Sequence, residues 1–114
     1  MNLNSFDVIQ DKVVRDGKVA VLVSPGYGAG WYTWNEAHPE LLFLPRVVEM
    51  VLNQASHYDI VEYVESIYGE DDVYTGGASD LKVVWVPQGS QFRIEEYDGS
   101  ESLKLKDSED WITA

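Results

Sequence analysis

Apolar and polar positions follow two different periods along the chain, and each change of period marks an element boundary. In "QDKVVRDGKVAVLVS" two β-branched runs flank Asp16-Gly17. That dipeptide accepts the positive φ angles of a type I′ turn, so the stretch predicts a β-hairpin. The second run, Val19 to Val23, is almost wholly apolar, which predicts a central strand covered on both faces. It stops at Ser24-Pro25, where proline has no N–H for a ladder. Near the other end, "LKVVWVP", "QFRIEEY" and "ESLKLKD" predict three more strands, joined by the turns "QGS" and "DGS". Phe92 and Ile94 alternate with Arg93 and Glu95, and Leu103 and Leu105 with Lys104 and Lys106. Strict alternation of this kind marks half-buried strands.

Between the two strand regions the period lengthens to that of a helix. "NEAHPELLFLPRVVEMVLNQ" reads as two helical pieces, because Pro39 suits a helix start and Pro45 breaks the run or begins a new helix. Val47, Val48, Val51 and Leu52 share one face. A second helix is expected from about Tyr58 to Tyr68, with Ile60, Val61, Val64, Ile67 and Tyr68 as its apolar stripe. Asp59, Glu62 and Glu65 line its other side, and Gly69 suits the position just past its end. "EDDVYTGGASD" reads as a polar loop, and the tail "SEDWITA" carries Trp111. The order is β-β-α-α-β-β-β. It predicts an α+β fold: a mainly antiparallel sheet of about five strands, with two to three helices on one face. The chain of 114 residues suits one domain, 1–114.

Charge narrows the range of partners. Twenty acids against eight bases give a net charge of −12. Direct binding to a nucleic-acid backbone is not expected, because phosphate contacts need lysine and arginine. The imbalance is concentrated. No lysine or arginine lies between Arg46 and Lys82, whereas eight acids do: Glu49, Asp59, Glu62, Glu65, Glu70, Asp71, Asp72 and Asp80. The absence of cysteine excludes disulfides and thiolate metal sites. No apolar run approaches membrane-spanning length, and "MNLNSFDVIQDK" has no secretion-signal pattern, so neither membrane association nor export is expected.

One stretch resists reading as an ordinary connection. "SPGYGAGWYTWN", residues 24 to 35, holds three glycines, four large aromatic rings and no charge. Its spacing fits neither a P-loop nor a dinucleotide-binding turn, and no helix opens directly after it. The glycines allow sharp turns and close approach. Tyr27, Trp31 and Trp34, with Asn35 beside them, can stack on and hydrogen-bond a ligand, or pack inward. Thr75, Gly76 and Gly77 offer backbone N–H groups for an anion. If Gly28 and Gly30 lie beside that second loop, the two form a pocket with aromatic walls, and Arg46 is the arginine most available to it. Catalysis finds no constellation: His38 and His57 are isolated, Ser24 lacks a nucleophile context, and nothing calls for a metal or cofactor.

Three phrases, "VAVLVSPGYGAGWYTWN", "YTGGASDLKVVWVPQGSQFRIEEYDGSESL" and "DWITA", resemble a family of small acidic proteins of tailed bacteriophages. The resemblance implies expression in the cytoplasm of a bacterial host. It carries no activity or site residue with it. Two functions follow as expectations. The first is a non-enzymatic binding protein, compatible with a homo-oligomer, that sequesters a nucleotide-like ligand between the glycine loops and so counters host defence. The second is an acidic DNA mimic or interaction inhibitor. It would present Asp59, Glu62, Glu65, Asp71 and Asp72 to a basic host protein.

Overall fold

A computed structural model describes residues 7–106. The chain builds β1 (Asp7–Ile9), β2 (Lys12–Arg15), β3 (Lys18–Val23), α1 (Pro45–Leu52), α2 (His57–Tyr68), β4 (Lys82–Pro87), β5 (Phe92–Tyr97) and β6 (Ser100–Leu105). All strand pairings are antiparallel, and the fold is α+β as expected. The strands do not form one sheet of five. They divide into a four-stranded sheet, ordered β1-β2-β3-β4, and a separate β5-β6 hairpin.

The division follows from which faces need cover. Alternate residues of β3 point to opposite sides. Ala20 and Leu22 join Val47, Val48, Ile60 and Val64 of the helices in one core cluster. Val21 and Val23 join Val86 and Leu42 in a second, against which Phe92, Ile94, Leu103 and Leu105 of the hairpin pack. The apolar run of β3 is therefore buried on both faces, by helices on one side and by the hairpin on the other.

Local signals hold well. Asp16 and Gly17 both have positive φ, 53° and 76°, as a type I′ turn requires. Proline starts both helical pieces: a short 3₁₀ turn at Pro39–Leu42, and α1 at Pro45. Ser56 caps α2, its hydroxyl accepting from the Asp59 N–H, and Gly69 follows at φ 85°. Of the expected α2 stripe, Ile60 and Val64 are buried, while Ile67 lies on the surface. Strand β1 has no counterpart in the sequence reading. Its turn uses Gln10 and Asp11 at φ 52° and 61°, without the glycine that advertises such a turn. Trp111 lies outside the described residues.

Candidate functional site

The aromatic loop and the second glycine loop do meet. Residues 76–80 form a 3₁₀ turn, Gly76–Asp80, against the loop that ends β3. At the seam Gly77 faces the backbone of Gly30 so closely that a methyl group on Gly77 would stand 2.6 Å from the Gly30 carbonyl oxygen. The contact closes the seam. The pocket with aromatic walls expected there from the sequence is replaced by direct backbone packing.

Trp31 explains why. Its side chain is fully buried in the helix-side core, with Leu22, Leu41, Val47 and Ala78 in the same cluster. Its indole N–H donates to the Leu41 carbonyl at 2.9 Å, which satisfies the one polar atom of the ring. Trp31 is therefore a core residue, not a pocket wall. Asn35 is likewise buried and spent. Its amide nitrogen donates to the carbonyls of Trp31 (2.7 Å) and Tyr74 (2.9 Å), and its oxygen accepts from the Tyr74 N–H (2.7 Å). One side chain thus clamps the two loops together. Asn35→Ala should cost about 2–3 kcal/mol, because it removes all three bonds of the clamp and orphans the buried Trp31 carbonyl. Urea denaturation would measure the loss.

The organising group of the loop is one the sequence reading did not single out. Glu101, on β6, is 2% exposed. Its carboxylate accepts from the backbone N–H groups of Ser24 (2.9 Å), Trp31 (2.8 Å) and Thr33 (2.9 Å), and from the Thr33 hydroxyl (2.7 Å). A nest of converging N–H donors of this kind binds anions. An anion nest was expected at Thr75–Gly77. The nest formed by Ser24, Trp31 and Thr33 is a different one, and its anion is the chain's own Glu101. The hairpin tip reinforces the arrangement. Gly28 donates to the Asp98 carbonyl at 2.7 Å, and Gly99, at φ 84°, packs against the Gly28–Ala29 backbone where no side chain fits.

The remaining expected residues separate into two surfaces. Tyr27 and Trp34 stay exposed, and Trp34 lies 5.1 Å from the exposed Tyr74 ring, centroid to centroid. Arg46 stands away from the loops on α1. It pairs with Glu49 and borders a groove with Asp59, Glu62 and Tyr63 of α2. The other arginines are also engaged: Arg15 lies 4.4 Å over the Trp85 ring, and Arg93 pairs with Glu95 at 2.8 Å.

The acidic residues cluster on α2 and the turn after it. Asp59 and Glu62 are exposed on α2 and Glu65 is half-buried there, with Glu70, Asp71 and Asp72 exposed in the turn that follows. Among the described residues none of these six forms an ion pair. Beside them, Tyr68 donates to Glu40 at 2.9 Å. Burial, then that hydrogen bond to a carboxylate, pushes the Tyr68 phenol up to about 12. Partial burial opposes the ionised form of Glu40, but hydrogen bonds from its backbone, Tyr68 and His38 outweigh it and lower the carboxyl below its ordinary value. Among the described residues no group of three metal-ligating side chains is assembled, and no helix is long and apolar enough to cross a membrane. Comparison with protein-family models, with curated proteins and with solved structures found no match to the chain.

Proposed function

We propose that the protein is a non-enzymatic interaction protein that offers the acidic face of α2 and the turn after it to a basic protein partner. The observation that carries this reading is the group of acids from Asp59 to Asp72, none of which forms an ion pair among the described residues. Side chains three apart on a helix sit about 5–6 Å from each other, so Asp59, Glu62 and Glu65 approximate a row of phosphates. The exposed ring of Tyr74 follows closely on the acidic turn, with the exposed Trp34 ring against it. Aromatic faces attract the lysine and arginine of such a partner. The fitting partner is a surface that otherwise binds a nucleic-acid backbone. The sequence resemblance would place it in a bacterial host, where engaging it would counter host defence.

The test is binding of the full chain to a lysine- and arginine-rich peptide at several salt concentrations. Affinity should fall steeply as salt rises, because exposed charges are screened beyond about 8 Å at physiological ionic strength. Neutralising Glu62, Glu65, Asp71 and Asp72 together as amides should weaken binding by about ten- to a thousandfold, at roughly 0.3–1 kcal/mol per exposed charge. Binding that ignores both salt and these substitutions would rule the reading out.

A second reading keeps a small ligand. The paired Trp34 and Tyr74 rings make an open platform for one flat base, in place of an enclosed pocket. Calorimetry with free nucleotides, on the wild type and on Trp34→Ala, separates the two readings. Only the platform predicts heat that Trp34→Ala abolishes.

A further inference from the structure

Strand β4 lies at an edge of the four-stranded sheet. Its register and one hydrogen bond show which of its backbone groups face outward. Lys18 stands opposite Pro87, and the Gln88 N–H donates to the Gly17 carbonyl at 2.8 Å. A bond that brackets a pair in this way makes Lys18–Pro87 a non-hydrogen-bonded pair, and antiparallel pairs alternate. The pairs Val19–Val86 and Val21–Val84 therefore carry the ladder. The N–H and C=O groups of Val83 and Trp85 point away from β3. Among the described residues neither Val83 nor Trp85 makes a backbone hydrogen bond outside that ladder.

Among the described residues this edge is guarded only at its ends, by Lys82 and Pro87. Natural edge strands are short, charged or bulged. Strand β1, at the other edge, has only three residues, and β5 carries Arg93, Glu95 and Glu96. The middle of β4 is Val-Val-Trp-Val. Alongside it runs a groove of about 630 Å³, walled by Val51, Leu52, Ile60, Leu81, Val83 and Trp85. Among the described residues its lining includes His57 and Lys82 but no acid, on a chain with twenty acids. A basic partner has nothing to bind there, whereas two copies of this acidic chain can meet there with little repulsion.

We infer that β4 pairs with β4 of a second copy, antiparallel about a two-fold axis at Val84. The strand is self-complementary in that register. Val83 falls opposite the partner's Trp85, and Trp85 opposite the partner's Val83. Both are outward-facing residues, and each such pair exchanges two hydrogen bonds, about four in all. Val84 faces the partner's Val84 as a close, non-hydrogen-bonded pair on the hairpin side. Each Trp85 lies beside the partner's Val83 at the mouth of the groove. Lys82 meets the partner's Val86, so no like charges face each other across the seam.

Sedimentation equilibrium of the full chain should give twice the monomer mass. Since the chain has no cysteine, single thiols report the register. Val84→Cys should cross-link to itself under mild oxidation at least about tenfold faster than the exposed Ser102→Cys, because pairing raises the local thiol concentration. Val83→Pro removes an outward N–H and no ladder bond, so it should keep the circular dichroism spectrum and halve the mass. Should Val83→Pro fail to fold, the thiol comparison carries the test alone. A monomeric wild type, a folded Val83→Pro that stays dimeric, or equal cross-linking of the two thiols would overturn the proposal.

Discussion

Glu101→Ala should remove about 4 kcal/mol or more of folding stability. The carboxylate is 2% exposed and accepts from three backbone N–H groups and one hydroxyl, drawn from Ser24, Trp31 and Thr33. Truncation leaves those donors without their acceptor, and each buried unsatisfied group costs roughly 1–3 kcal/mol. A domain of this size has only about 5–15 kcal/mol in total, so the variant approaches the threshold of folding. At about 4–8 °C per kcal/mol the melting temperature should drop by tens of degrees. Glu101→Gln keeps the shape and one acceptor oxygen but turns an NH₂ group against N–H donors, so it should fall between wild type and alanine. Thr33→Val removes only the hydroxyl bond and should cost about 1 kcal/mol. A denaturation midpoint for Glu101→Ala within about 1 kcal/mol of wild type would mean that the loop holds its shape without the carboxylate.

The signal for Glu101 is present in the sequence, in the parity of its strand. In "ESLKLKD" the alternation that places Leu103 and Leu105 inward places Glu101 inward with them. An acid on the buried parity of a strand asks for donors, and the glycine-rich loop is where uncommitted N–H groups are plentiful. What the sequence lacks is the pairing of the two, which spans 70 residues between Trp31 and Glu101. Local chemistry was legible for the same reason that this was not. Asp-Gly turns, the proline starts at Pro39 and Pro45, and the glycine after α2 each act within a few residues. Whether β5 and β6 extend the first sheet or cross its face depends on which side of β3 still needs cover. That is a property of the assembled core and not of any window. The four rings of residues 24 to 35 show the same limit. Composition identifies them as unusual, but only the packing separates Trp31, inside, from Tyr27 and Trp34, outside.

Trp31→Ala is the other large effect expected, and it bears on what the aromatic loop is for. Trp31 is fully buried within the core cluster that also holds Leu22, Leu41, Val47 and Ala78. Cutting a buried tryptophan to alanine costs about 3–5 kcal/mol through lost burial and the cavity left behind. The Leu41 carbonyl also loses the indole donor 2.9 Å away, which adds about 1 kcal/mol or more. Trp31→Phe should recover most of the packing but not that bond, and so should lie between the two. Trp34 makes the opposite case three residues later. It is 42% exposed and touches Tyr74 at the surface, so Trp34→Ala should cost no more than about 1 kcal/mol. Denaturant titration of the three variants reads the contrast directly. A loop built to receive a ligand would tolerate loss of either indole and lose binding with both. A loop wedged around one indole should collapse with Trp31 and stay folded without Trp34. If Trp31→Ala proved as mild as Trp34→Ala, the indole would not be the wedge that joins the end of β3 to the helices, and the closed seam at Gly77 would lose its physical cause.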